Sequence, residues 1–343
     1  MEADLAERSA VSPSPKAPVV LATEECTAEL VTVVGGKAVG LGSLIRSGQN
    51  VPASFVVSAS AYLGYAAWRN DGGEGVPAEL ADEIVLAYQQ LCQRQQSEVV
   101  VAVRSSATVE DSSDSSCAGQ FSTYLGVSGD TDVVGTVERC WLSALAPHVS
   151  AYREARQLSA EDQGIAVVVQ ELVDAQTAGV MFTRHPRTGD RSLVVVEASY
   201  GLGEAVVGGE VIPDLFELNK VTGRVQERVL GSKPFEHRLS ADGRAVETEA
   251  VDPDRQRAWS IGDETLEALL EMARQLESSI GRGLDIEWAI GSTRSDSSGS
   301  ELFALQVRPI TVDRRSAPLV ASGSPVDIVL RRLGGGHHPH HGE

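Results

Sequence analysis

The segment Leu284–Ile290, LDIEWAI, sets an apolar residue at every second position and places Asp285 and Glu287 between them. On a strand, residues two apart face the same side. Leu284, Ile286 and Trp288 therefore predict a buried face, and the two carboxylates share the other. The run Leu302–Pro309, LFALQVRP, repeats the pattern: Gln306 and Arg308 share one face, Leu305 and Val307 the opposite one. The polar stretch 291–300, GSTRSDSSGS, closes an antiparallel hairpin between the two runs. Such pairing brings two carboxylates, an amide and a guanidinium onto one surface. Hard oxygen donors of this kind suit Mg²⁺, and an arginine beside them suits charge developing on a transferred phosphoryl group. A solvent-facing hairpin held by a salt bridge is the plainer alternative.

Upstream of this hairpin, Leu266, Leu269, Leu270, Ala273, Leu276 and Ile280 recur at helical spacing between Glu264 and Ile280 and predict one amphipathic helix. From Ile165 the texture is that of strands: IAVVVQELV, AGVMFT, SLVVVEAS, DLFELNK and GRVQERVL, each bounded by Gly, Pro or Asp. The first half is richer in helix, with patterns over 59–68 and 79–96, two helices within 130–158 broken at Pro147, and strands at 51–58, 99–103 and 120–127. Strands and helices mixed in both halves predict an α+β protein of two lobes. The expected division is a disordered leader over 1–17, one lobe over 18–190, a second over 191–314 carrying the hairpin, and a flexible tail over 315–343.

A chain of 343 residues with 42% hydrophobic content has ample material for a core. Its 48 acids against 29 bases give a formal charge of -19. A surface that acidic repels nucleic acid and anionic lipid, so neither is expected as a partner. Any phosphate-bearing ligand must then be held by a few placed cations. Cys26, Cys92, Cys117 and Cys140 form no CxxC pair and predict reduced thiols in a cytoplasmic protein. No signal peptide is read at the N-terminus, and no run of about 18 apolar residues is read as a membrane span.

Three further stretches bear on phosphate chemistry. In VTVVGGKAVGLGSLIRSG, residues 31–48, Gly35 and Gly36 precede Lys37 at the mouth of a helical pattern. Glycines let backbone N–H groups approach an anion, and a lysine reaches outer phosphates; an ordinary loop before a surface helix has the same look. In residues 99–127 a β-branched strand ends in Arg104, followed by a Ser-rich, small-residue loop through Gly119 to Thr123 and Tyr124. An arginine directly after five apolar residues requires an anion. In residues 167–190, Gln170 and Glu171 close an apolar strand, and the short connection to Val173 offers backbone groups to a purine edge. The GLGE step at 201–204 reads as a turn.

Taken in order, GGKAVGLGSL, RSSATVEDSSDSSCAGQFSTYL, VVVQELVDAQTAGVMFTRHPRTGD, GLGE and LDIEWAI with LQVRPIT resemble the ATP-grasp nucleotide-binding domain of phosphoenolpyruvate synthase, pyruvate phosphate dikinase and rifampin phosphotransferase. The resemblance spans residues 30–312. It implies ATP bound between two lobes, with Lys37 and Arg104 on phosphates and the loop from Gly119 through Thr123 to Tyr124 covering them. Gln170, with Glu171 and the backbone to Val173, would frame the adenine. Glu287 and Gln306 would hold Mg²⁺ with Asp285 in support, and Arg308 would stabilise the phosphates in the transition state. The family's chemistry passes the terminal pyrophosphoryl unit to a histidine on a swivelling domain, with AMP as product.

No Thr-Ser-His-Ala type stretch and no pyruvate-binding barrel is read in this sequence. Four of the seven histidines, His337, His338, His340 and His341, crowd into the tail. His148, His185 and His237 lack the phosphoacceptor context, and His185 reads as a polar loop residue. The expectation is a stand-alone ATP-dependent phosphotransferase chain that works with a separate phosphohistidine swivel-domain protein and a small-molecule acceptor. Two alternatives stay open: a direct ADP-forming kinase or ATP-grasp ligase, and a non-catalytic ATP-binding regulatory module.

Overall fold

The computed structural model describes residues 18–107, 122–144, 164–293 and 299–310. Its strands are β1 (Val20–Ala22), β2 (Ser54–Val57), β3 (Val101–Ala107), β4 (Thr123–Val127), β5 (Ile165–Glu171), β6 (Asp174–Phe182), β7 (Leu193–Tyr200), β8 (Asp214–Asn219), β9 (Val225–Val229), β10 (Phe235–Leu239), β11 (Val246–Ala250), β12 (Leu284–Ser292) and β13 (Glu301–Pro309). The helices are α1 (Val31–Arg46), α2 (Ala59–Asn70), α3 (Ala78–Gln95), α4 (Asp130–Ala144), α5 (Glu204–Val207), α6 (Pro253–Gln256) and α7 (Asp263–Ile280). The leader, the tail, Gly119 and the second helix expected within 130–158 lie outside the described residues.

The strands form two large antiparallel sheets, as the α+β expectation with two lobes requires. The first has the order β1-β2-β5-β3-β4 and the second β13-β12-β6-β7-β8-β9, while β10 and β11 pair separately. The change of sheet falls at Leu172–Val173, between β5 and β6. The expected lobe boundary at 190 is therefore corrected: β6 belongs with the second sheet. Only two apolar residues join β5 to β6, with none of the glycine or proline punctuation that marks a boundary in sequence.

Each sheet is buried for a reason visible in its residues. Phe55, Val57, Val101, Val103, Ile165, Val167 and Val169 form one face of the first sheet and pack on Tyr65, Ile84, Tyr88 and Trp141 of α2, α3 and α4. Helix α2 starts where the Ser58 hydroxyl accepts a 3.3 Å hydrogen bond from the Ala61 N–H. In α7 the predicted stripe is the buried one: Leu266, Leu269, Leu270, Ala273 and Leu276 meet Met181, Phe216, Ile286 and Trp288 of the second sheet. Full burial of one such leucine contributes about 1.5–3 kcal/mol. The described thiols Cys26, Cys92 and Cys140 are free. Burial pushes the Cys26 and Cys140 thiols up to about 12.

Helix α1 joins the two sheets. Val34, Ala38, Leu41 and Leu44 share one cluster with Val56, Ala166 and Val168 of the first sheet and with Ala304 and Val307 of β13. By length and composition the 19 residues Ala28–Arg46, with mean hydropathy 1.4, suffice to cross a membrane, which the sequence reading did not anticipate. In the fold this stretch supplies core side chains between the sheets. A loop followed by a helix was expected around Gly35. Instead helix already runs from Val31 and is broken at Gly35, where φ is 76° and ψ 167°.

The closing hairpin has the predicted face pattern with one correction. Asp285 pairs with Arg308 and Glu287 with Gln306, but Trp288 pairs with Ala304, so Leu305 is an extra, bulged residue. Leu305 packs beside Val173, Ala289 and Phe303 and not with Val307. The Ala304 N–H, on the outer side of β13, donates 2.9 Å to the Asn50 carbonyl that follows α1.

Helix α1 approaches β13 closely at Gly40, where an added Cβ would lie 2.4 Å from the Val307 carbonyl oxygen. Gly40→Ala is expected to lower unfolding free energy by about 1–3 kcal/mol, the usual cost of overpacking a close contact. Urea denaturation measures it; an unchanged midpoint contradicts this packing.

Candidate functional site

The site forms where a face of the first sheet meets a face of the second. Val56, Val168, Arg104 and Thr123 are successive partners across β2, β5, β3 and β4, so Arg104 shares the α1 side of that sheet with Val168. On the second sheet, Gln306, Glu287, Val180 and Glu197 are partners across β13, β12, β6 and β7, on the side away from the α7 core. Arg104 Nη2 meets Glu287 Oε2 at 2.7 Å, with each side chain 17% exposed. This ion pair spans 183 positions of sequence and ties the two sheets together.

Burial alone would push the Glu287 carboxyl up. The Arg104 charge and its hydrogen bond, with further attraction from Arg308 and Lys37, outweigh that and hold it below its ordinary value of 4.5. Asp285 goes the other way: burial raises its carboxyl against the Arg308 attraction, and the neighbouring Glu287 charge adds to the rise. Arg308 Nε donates 2.8 Å to Asp285 Oδ2, and its side chain is 61% exposed, so its charge stands at the mouth of the site.

Several polar atoms here are buried without a hydrogen-bond partner among the described residues: Arg104 Nε, Gln170 Nε2 and Gln306 Oε1. Buried polar groups of folded proteins are nearly always paired, so these atoms leave hydrogen-bonding capacity that a ligand or water can fill. Gln306 Oε1 and the Glu287 carboxylate, directly opposite on paired strands, are hard oxygen donors that fit Mg²⁺. Asp285 is engaged by Arg308, and no group of three or more His, Cys, Asp or Glu side chains forms a metal cluster among the described residues. Two protein oxygens fit a magnesium that takes its remaining ligands from phosphates and water.

The expected adenine and loop residues divide between faces. Gln170 follows Val168 on the Arg104 side of β5, and its side chain is buried. The Glu171 carboxylate lies on the other side, where it accepts a 3.1 Å hydrogen bond from Gln95 of α3, so only its backbone faces the connection. Val173 is buried among Ala178, Ala289 and Phe303, an apolar wall next to Glu287. Thr123 pairs with Arg104, whereas Tyr124 pairs with Val103 and turns its ring toward α4, where the Arg139 guanidinium lies 4.6 Å from the ring centre. A cleft of about 520 Å³ runs along β4, bordered by Thr123, Tyr124, Arg139, Glu204 and Arg244.

Glu204 escaped the sequence reading, which took GLGE as a turn. Its carboxyl is pushed up by burial and is faced by the charges of His237 and Arg104. Ser106 was missed as well: it lies at i+2 from Arg104 and contacts α1 through its hydroxyl. His185 is the loop residue anticipated, its Nδ1 accepting from the Arg187 and Thr188 N–H groups at 3.2 and 3.3 Å.

Residues 73–322 match the family model described as pyruvate phosphate dikinase, AMP/ATP-binding domain. The chain belongs to this family. It is 37% identical over 319 residues to a probable phosphoenolpyruvate synthase of Methanothermobacter thermautotrophicus, covering 84% of this chain and 45% of that protein. It is also 37% identical over 299 residues to the prodigiosin synthesizing transferase PigC of Serratia marcescens, covering 84% of this chain and 32% of that one. The chain thus spans less than half the length of these relatives. Among solved structures a D-alanine–D-alanine ligase from Bacillus anthracis aligns over 87% of this chain and 69% of its own, with a TM-score of 0.34 at 6% identity.

The ion pair carries a pH signature. A carboxyl held below its unfolded value contributes stability that is full above that value and is lost as pH falls through the lower, folded value. Arg104→Met leaves Glu287 buried without its cation and is expected to cost on the order of 3 kcal/mol near neutral pH. That difference should shrink as pH falls below 4.5 and Glu287 protonates. Denaturation curves of both proteins between pH 7 and pH 3 check this; a difference independent of pH refutes the pairing.

Proposed function

We propose that the chain binds Mg-ATP between its two sheets and acts as the ATP-cleaving part of a phosphotransferase that works through a histidine on a separate swivel-domain partner in the cytoplasm. The observation that carries this reading is the Arg104–Glu287 pair that joins the two sheets beside the unsatisfied Gln306 Oε1, with Arg308 bound to Asp285 on the same face of the hairpin. In a chain of net charge -19, a partly buried arginine held at this junction is a placed cation and not part of a diffuse field.

The roles follow from position. Lys37 and Arg104 hold the phosphates. Glu287 and Gln306 hold the metal, which when bound screens phosphate charge and orients the polyphosphate. Arg308, the most exposed of the three cations, meets the charge that develops as the bond to the partner forms. Gln170 and the Glu171–Val173 backbone receive the adenine against the apolar wall of Ala289 and Phe303. The ring nitrogen of the partner histidine attacks the β-phosphorus, the bond from that phosphorus to the oxygen bridging the α-phosphate breaks, and AMP departs with that oxygen. Hydrolysis of the pyrophosphohistidine then releases inorganic phosphate and leaves a phosphohistidine that serves pyruvate or another small acceptor.

The relatives named as phosphoenolpyruvate synthase and as a prodigiosin synthesizing transferase support a phosphotransfer reading of the family. The decisive experiment mixes the chain with ATP radiolabelled at the β-phosphate, Mg²⁺ and a candidate swivel-domain protein. AMP formation with label on the partner histidine is expected. Glu287→Ala and Lys37→Ala should each lower the rate by about 10²-fold or more, the usual scale for a lost electrostatic group. ADP formed without any partner would replace this reading with a direct kinase, and tight ATP binding with no product would replace it with a binding module.

A further inference from the structure

We infer that Ser106 is a positioning residue for the nucleotide site: its hydroxyl fixes the break in α1 and so couples the placement of Lys37 to the strand that carries Arg104. This inference rests on the proposed ATP site. Arg104 and Ser106 are two apart on β3 and share its α1 side. Ser106 is fully buried. Its Oγ donates 3.0 Å to the Val34 carbonyl, on one side of the break, and accepts from the Ala38 N–H at 3.4 Å on the other. One hydroxyl therefore bridges the last residue before Gly35 and the first turn after it.

The break itself is held open by the same residue. Gly35 adopts φ 76°, and an added Cβ there would lie 2.3 Å from both the carbonyl oxygen and the Oγ of Ser106. The left-handed backbone lets β3 approach this closely. Helix restarts directly after it, with Lys37 in the first turn and the Ala38 N–H, one of the amides that lacks a partner within a new helix, supplied by Ser106. A regular helix through residue 35 would swing Lys37 to a different azimuth. Arg104 and Lys37, whose charges act together on Glu287, are thus both indexed to one strand: the first by its own side chain, the second through the hydroxyl two residues on.

A purely structural serine would weaken the fold without distinguishing Lys37 from other ligand contacts, and a double-mutant cycle separates the two roles. ATP affinity is measured by titration calorimetry with Mg²⁺ for the unaltered chain, Ser106→Ala, Lys37→Ala and the double variant, at a temperature where circular dichroism shows each folded. The expected loss for Ser106→Ala is about fivefold in the unaltered background, on the scale of one net hydrogen bond, and less than about twofold when Lys37 is already alanine. Ser106→Thr, which keeps the hydroxyl, should restore most of the affinity. Should Ser106→Ala fail to fold, Ser106→Cys retains the volume with a weaker hydrogen-bonding group and enters the same cycle. Equal losses in both lysine backgrounds, or no loss at all, overturn the positioning role while leaving ATP binding intact. Absence of ATP binding by the unaltered chain overturns the site reading itself, and this inference with it.

Discussion

Two sheets that share no ladder are held face to face by a partly buried ion pair, and the candidate site exists only where that pair closes. An arginine from the third strand and a glutamate from the twelfth are each too costly to bury alone, and each makes the other tolerable. Because the groups lie so far apart in sequence, their meeting requires both sheets to be complete. The charge balance at this point is therefore a statement about the tertiary fold. It also leaves the arginine with one nitrogen unspent and the neighbouring glutamine oxygen without a donor, a polar deficit that a metal-bound polyphosphate would satisfy.

The helix between the sheets makes that meeting reproducible. It is broken against one sheet at Gly35 and pressed against an edge strand of the other at Gly40, so a single element takes its orientation from both. Short side chains at these two places exchange local helix stability for close approach, a cost of roughly 1 kcal/mol each relative to alanine in an unbroken exposed helix. Rigid placement of the lysine proposed to meet phosphate is what that exchange secures.

Much of this was legible in the amino-acid order. Alternation in Leu284–Ile290 announced a strand with one polar face because α7 covers only the other, and the α7 stripe was readable because it packs on a single sheet. The residues proposed for the site were named from residue type and position, with the family pattern supplying their roles. Other features left no signal. The change of sheet occurs inside a continuous apolar run, so no composition shift accompanies it. Glu171 was paired with Gln170 because they are adjacent, yet adjacency on a strand guarantees opposite faces. Ser106 looked like one hydroxyl among many, since its meaning depends on a backbone angle 71 positions away.

The bulge at Leu305 separates two things that usually vary together, the length of a strand and the direction of its side chains. Val307 and Ala304 both reach the core although three positions apart, because Leu305 absorbs the odd step. Excising Leu305 would restore simple alternation and leave Gln306 and Arg308 aimed as before, whereas excising Val307 would turn Arg308 to the opposite face. Change in this edge strand is thus permitted at one locus and forbidden beside it, giving the hairpin a single joint where its length can drift without disturbing the acid it opposes.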